Sequence, residues 1–181
     1  MLSTENELDA RNRKMVNLTV YVNGAKFQGE IESRLTLAEL LREKMNLTGT
    51  KLGCNRAECG VCTVLLDGLP VFSCTVLAAS TNGRRVETVE GLMSGGNLHP
   101  LQRAFIEDDA LQCGFCTPGL LMSLKALTEK IANPTVEEVK EAIAGNFCRC
   151  GAYPNIFRAA IDAANSMSSA GKQETTKLGN I

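Results

Sequence analysis

The sequence predicts an α+β chain of two small domains, a ββαβ unit over residues 15–90 followed by an antiparallel helical bundle over 96–166. Three observations predict this. The first half alternates apolar and polar positions around turn dipeptides. The second half carries helix caps and apolar helical faces. The eight cysteines fall into one group of four in each half, with none left over.

Each element has a local reason. Residues 1–14 are polar and are expected to form a mobile N-terminal extension. Val16-Asn17-Leu18-Thr19-Val20-Tyr21-Val22 has the period of a half-buried strand. Asn23-Gly24 is a type I′ hairpin signal, so 26–31 reads as the returning strand. Thr36-Leu37-Ala38-Glu39 is a capping box, opening a helix with Leu37, Leu40, Leu41 and Met45 on its inner face. A cysteine loop follows, and then residues 62–66, Asp67-Gly68 and 69–74 form a second hairpin. Residues 84–89 make a last strand, and the loops Asn82-Gly83 and Ser94-Gly95-Gly96-Asn97 bracket a connector.

In the second half, His99-Pro100 starts a helix with proline at its first position and Leu101 and Phe105 inward. Thr117-Pro118 restarts one with a hydroxyl cap, its apolar face running through Leu120, Leu121, Leu124 and Leu127. Thr135-Val136-Glu137-Glu138 is a further capping box, for a helix ending at Gly145. A last helix near 155–164 presents Ile156, Ala159, Ala160 and Ala163, and residues 167–181 are expected to be a disordered tail. His99, the single histidine, has no acidic or cysteine neighbour and reads as a helix-start residue. Phe115 and Tyr153 read as packing either at a contact with another chain or within the bundle, with core packing the default expectation.

The cysteine spacings carry the chemistry. Cys54, Cys59 and Cys62 stand as C-x4-C-x2-C, with Cys74 after eleven intervening residues. This is the thiolate spacing of a plant-type ferredoxin, in which four cysteines hold one [2Fe–2S] cluster. Gly53 and Gly60 are expected at tight turns, where backbone amides approach the sulfurs. Cys113, Cys116, Cys148 and Cys150 form a C-x2-C…C-x-C set. They lie just before two helices, whose N-termini favour an anionic cluster. Taken alone, this second spacing also admits zinc; behind a ferredoxin loop it reads as iron–sulfur.

Composition excludes other classes. With 19 basic and 20 acidic residues, the net charge of −1 gives no electrostatic case for nucleic acid or an anionic membrane. No apolar run reaches bilayer length and the N-terminus lacks a secretory pattern, so a cytoplasmic location is expected, where thiols stay reduced. Nothing in the sequence assembles a nucleophile and base, a phosphate loop or paired carboxylates, so no independent catalytic site is expected.

Three motifs together point to a family. They are Gly-Cys-Asn-Arg-Ala-Glu-Cys-Gly-Val-Cys-Thr at 53–63, Leu-Gln-Cys-Gly-Phe-Cys-Thr-Pro-Gly at 111–119 and Gly-Asn-Phe-Cys-Arg-Cys-Gly-Ala-Tyr at 145–153. Over about residues 16–164 the chain resembles the small iron–sulfur subunits of the molybdenum hydroxylases, the xanthine dehydrogenase, aldehyde oxidoreductase and carbon monoxide dehydrogenase group. The resemblance implies a β-grasp ferredoxin-like domain, then a four-helix bundle, each holding a [2Fe–2S] cluster. It also implies a molybdopterin-binding large subunit beside the helical domain's cluster, with Gln112 contacting the pterin and Cys150 close to it. Read on its own, Gln112 is a capping or loop-closing amide. A flavin (FAD) subunit or an external acceptor would lie towards the ferredoxin-like cluster. The implied role is electron relay within an oxidoreductase; a free two-cluster shuttle and a zinc-stabilised interaction module are the competing classes.

Overall fold

A computed structural model describes residues 14–177 of the chain, with side chains as far as Ser169. The expected N-terminal extension lies outside the described residues except for Lys14. The strands are β1 (Met15–Val22), β2 (Ala25–Glu32), β3 (Thr63–Leu66), β4 (Leu69–Phe72) and β5 (Arg85–Glu87). They form one mixed sheet in the order β2-β1-β5-β3-β4, with β1 and β5 parallel and the other neighbours antiparallel. Both hairpins turn where expected. Asn23 and Gly24 have φ of +50° and +81°, Asp67 and Gly68 +50° and +79°, the left-handed pair a type I′ turn requires.

Helix α1 begins as an α-turn (Leu37–Glu39) and continues over Leu40–Lys44 with π-type winding, a difference from the plain α-helix expected. Its capping box is complete: Thr36 Oγ1 accepts the Glu39 amide at 3.2 Å and the Glu39 carboxylate accepts the Thr36 amide at 2.8 Å. Leu37, Leu40 and Leu41 are buried against Leu18, Val20, Val22, Val64, Leu66 and Val86 of the sheet. This is the β-grasp arrangement.

Helices α2 (Pro100–Glu107), α3 (Thr117–Lys130), α4 (Val136–Ala142) and α5 (Tyr153–Lys177) form the bundle. Pro100 stands at the first position of α2, where His99 Nδ1 accepts the Leu101 amide at 3.2 Å as the cap. Thr117 differs from expectation: it is the first residue of α3, the cap is Cys116, and no side chain caps this end. Residues 167–177, expected as a disordered tail, are wound onto the end of α5, while 178–181 lie outside the described residues. Among the described residues no helix is long and apolar enough to cross a membrane.

The halves are not simply side by side. Successive residues of β3 face opposite ways, and all four are buried. Val64 and Leu66 point into the sheet's own core, whereas Leu65 belongs to the helical core with Leu101, Phe105, Leu120, Leu124 and Ile156. Helix α3 covers β3 and β4 and also packs on α2 and α4. It is therefore buried over more of its circumference than the single apolar face predicted: Gly119, Met122, Ser123 and Ala126 are buried as well.

Candidate metal centres

The first cysteine loop runs from α1 to β3. Arg42, in the π-wound part of α1, reaches forward to donate to the carbonyls of Thr48 at 3.0 Å and Thr50 at 2.6 Å, fixing the approach to Cys54. Asn55, Ala57 and Gly60 take left-handed conformations with φ of +54°, +60° and +68°. Gly53 does not, contrary to expectation; its lack of a side chain serves space, since a Cβ there would lie 3.0 Å from Cys59 Sγ. The curled backbone points amides at sulfur. Cys54 Sγ accepts the N–H groups of Glu58 at 3.3 Å and Arg56 at 3.5 Å. The Arg56 amide first, then that of Glu58, hold the Cys54 thiol down to about 7. Deeper in the loop, burial pushes Cys62 up to about 11. The second hairpin returns Cys74 to Cys62, and Ala38 packs against both.

The second set assembles from two loops at the same end of the bundle, as the spacing predicts. Cys113 and Cys150 are exposed, their sulfurs 3.4 Å apart, while Cys116 is half-buried and Cys148 buried. The Phe115 amide draws the Cys113 thiol below its ordinary value, and burial pushes Cys116 up to about 12. Tyr153 locks the later loop: its hydroxyl accepts the Cys148 amide at 2.9 Å and donates to the Asn146 carbonyl at 3.2 Å. Gln112 is exposed beside Cys113, and among the described residues its amide has no hydrogen-bond partner, so it neither caps nor closes a loop. Phe115 is also exposed, not packed in the core as expected. With Phe147, Arg149 and Val61 it lines a cleft of about 180 Å³ between Cys54 and Cys59 on one side and Cys113 and Cys116 on the other.

The thiols meet two by two. All eight are free, and the contacts pair Cys54 with Cys59, Cys62 with Cys74, Cys113 with Cys150 and Cys116 with Cys148. Among the described residues no three His, Cys, Asp or Glu side chains converge to hold a single ion. A tetrahedral zinc site gathers four ligands about one centre, whereas a dinuclear cluster takes two thiolates on each iron. The paired donor sets therefore fit [2Fe–2S]. One orphan agrees: Thr117 Oγ1, next to Cys116, is the single buried side-chain oxygen or nitrogen without a partner among the described residues. A sulfur-rich cluster held at Cys116 would offer acceptors where the protein supplies none.

Comparison with known proteins decides the family. Residues 20–87 match the profile of a 2Fe-2S iron-sulfur cluster binding domain, and residues 88–161 that of a [2Fe-2S] binding domain. The 6-hydroxypseudooxynicotine dehydrogenase complex subunit beta of Paenarthrobacter nicotinovorans is 52% identical, over 81% of this chain and 92% of that one. The xanthine dehydrogenase iron-sulfur-binding subunit of Escherichia coli O157:H7 is 41% identical, over 81% and 93%. In the crystal structure of quinoline 2-oxidoreductase from Pseudomonas putida 86, one chain superposes with a TM-score of 0.83 at 41% identity, covering 87% of this chain and 98% of that one.

The chain belongs to the small iron–sulfur subunits of the molybdenum hydroxylases. It is thus the iron–sulfur subunit of an oxidoreductase, with two [2Fe–2S]-binding domains. The relatives at 52% and 41% identity are themselves named as subunits of larger enzymes. One structural residue of the subunit, Asn146, was not singled out in sequence; it stands two before Cys148 without a spacing that marks it. Tyr153 was read for packing alone, and the loop bonds of its hydroxyl were not foreseen.

Proposed function

We propose that this subunit relays single electrons from a molybdopterin centre on a large partner subunit, first to a cluster held by Cys113, Cys116, Cys148 and Cys150. A second cluster, held by Cys54, Cys59, Cys62 and Cys74, then passes them towards a flavin subunit or an external acceptor. When bound, each [2Fe–2S] centre supplies one-electron exchange with little movement of its cage. The chain's own residues provide placement. Cys113, Cys150 and Gln112 lie at an exposed edge with Leu111 and Phe115, a partly apolar face suited to cover by a partner. Gln112, its amide unengaged among the described residues, is available to hydrogen-bond the pterin, and Cys150 is exposed with its sulfur 3.4 Å from that of Cys113, the next residue after Gln112.

The observation that carries this reading is that the two thiol sets lie back to back. The Phe147 amide donates to the Cys59 carbonyl at 2.9 Å, so a ligand of one set is bonded to the neighbour of a ligand in the other. A free carrier commonly bears a strong charge bias to steer encounters; the near balance of 19 basic and 20 acidic residues suits a permanent subunit better.

An assay of iron, zinc and acid-labile sulfide on the isolated protein, with visible spectra before and after dithionite, tests the reading. About four irons and four sulfides per chain, with a red-brown colour that bleaches, are expected for two such clusters. A colourless protein holding zinc and no sulfide would overturn it. Co-purification with a molybdenum-containing larger chain separates the subunit from a free shuttle.

A further inference from the structure

Asn146 is buried, only 4% exposed, and stands two residues before Cys148. Its side chain leaves its own loop. Oδ1 accepts the Ser123 hydroxyl at 2.8 Å, and Nδ2 donates to the Gly60 carbonyl at 2.8 Å and to Thr63 Oγ1 at 3.2 Å. The Gly60 carbonyl fixes the amide's orientation, because the flipped form would set two acceptor oxygens against each other. Gly60 itself lies between Cys59 and Cys62, so one carboxamide joins the loop of the first thiol set to the loop of the second.

The backbones around it close without room for side chains. A Cβ on Gly60 would stand 2.2 Å from the Gly145 carbonyl, and one on Gly119 2.4 Å from the Gly60 carbonyl. Among the described residues, the only other hydrogen bond between the two cysteine loops is the backbone bond from Phe147 to Cys59.

We propose that Asn146 is a positioning residue that sets the separation and orientation of the two clusters, and with them their electronic coupling. The inference rests on the two-cluster reading above. Neither cage fixes this relation by itself, since each of its thiols comes from one side of the seam. The amide does so because it is fully hydrogen-bonded in a buried site, where a misplaced partner would leave an unsatisfied carbonyl or hydroxyl.

The test uses the full chain with its clusters, reduced with dithionite so that both are paramagnetic, and reads their spin–spin interaction by electron paramagnetic resonance. Iron and sulfide contents of the unaltered protein come first; a shortfall there counts against the two-cluster reading and not against the role of Asn146. Asn146→Asp keeps the volume and the acceptor for Ser123 but faces the Gly60 carbonyl with oxygen. Gly119→Ala presses a methyl group on the same carbonyl from α3. Both are expected to retain iron and sulfide while the interaction splitting is lost or broadened. A side chain that merely stabilises the fold would instead lower the unfolding midpoint and leave the splitting unchanged, and that result overturns the proposal. Should either variant lose a cluster, Ser123→Ala decides: it unlocks the carboxamide and touches no thiol loop. Reduced splitting in that variant is the expected result, and unaltered splitting overturns the proposal.

Discussion

Thr117 shows how a single hydroxyl can matter beside a metal centre. Its position after Cys116 and before Pro118 reads as a helix cap, yet the chain begins α3 at Thr117 itself and leaves Oγ1 buried without a partner. An unmet buried donor costs about 1–3 kcal/mol, so an acceptor from outside the polypeptide fits the site. A hydrogen bond to cluster or thiolate sulfur stabilises the extra negative charge of the reduced state and raises the potential. Thr117→Val keeps the shape and removes the donor. The expected outcome is a more negative midpoint potential for one cluster and an unshifted value for the other, followed by redox titration with paramagnetic resonance detection. Equal potentials before and after would assign the hydroxyl to packing alone. The sequence marks Thr117 as a polar residue at a helix start, but which side of that boundary it occupies depends on how Cys113-Gly114-Phe115-Cys116 curls, with Gly114 at φ +75°.

At the scale of elements, what was legible was whatever is encoded by neighbours in sequence. The Asn23-Gly24 and Asp67-Gly68 turns, the Thr36–Glu39 and Thr135–Glu138 capping boxes and Pro100 all act within four residues, and each stands where it was expected. Thr36→Ala removes the Oγ1 acceptor of the α1 box and should cost about 1 kcal/mol. For a chain of this size that corresponds to a melting temperature lower by about 2–4 °C, measurable by calorimetry. The π-winding of Leu40–Lys44, in which the Met45 amide donates to the Leu40 carbonyl at 3.1 Å, has no such local code. Its consequence is functional: it places Arg42 to hold the Thr48 and Thr50 carbonyls. Arg42→Met keeps much of the stem and frees that loop. Faster chelator-induced loss of one cluster is expected, seen as the first half of the visible absorbance bleaching early. A bleaching rate like that of the unaltered protein would show that the loop is held by its thiols without help.

Over the whole molecule the sequence divides into two domains more cleanly than the structure does, because burial on both faces of a strand leaves no alternation to read. Leu65 is the particular case. It sits between Val64 and Leu66 in the run Val-Leu-Leu, yet those two face the sheet core while Leu65 is fully buried among α2, α3 and α5 residues. The helical core is thus completed by a strand residue. The half-buried Lys125 of α3 adds an ion pair with Glu87 of β5 at 2.9 Å across the same seam. Unfolding the sheet would open the bundle core, so the two halves should unfold together. Leu65→Ala leaves a cavity at this junction and should cost about 2–5 kcal/mol. Denaturant titration followed by far-ultraviolet circular dichroism, which is dominated by the helices, and by visible cluster absorbance, which reports the loops, provides the check. Coincident transitions are expected in the unaltered protein, and both should move to lower denaturant in Leu65→Ala. Two separate transitions, with only the absorbance shifted by the substitution, would mean that the bundle stands on its own core. Coincidence would mean that one cooperative unit carries both thiol sets, with Asn146 adjusting their relation inside it.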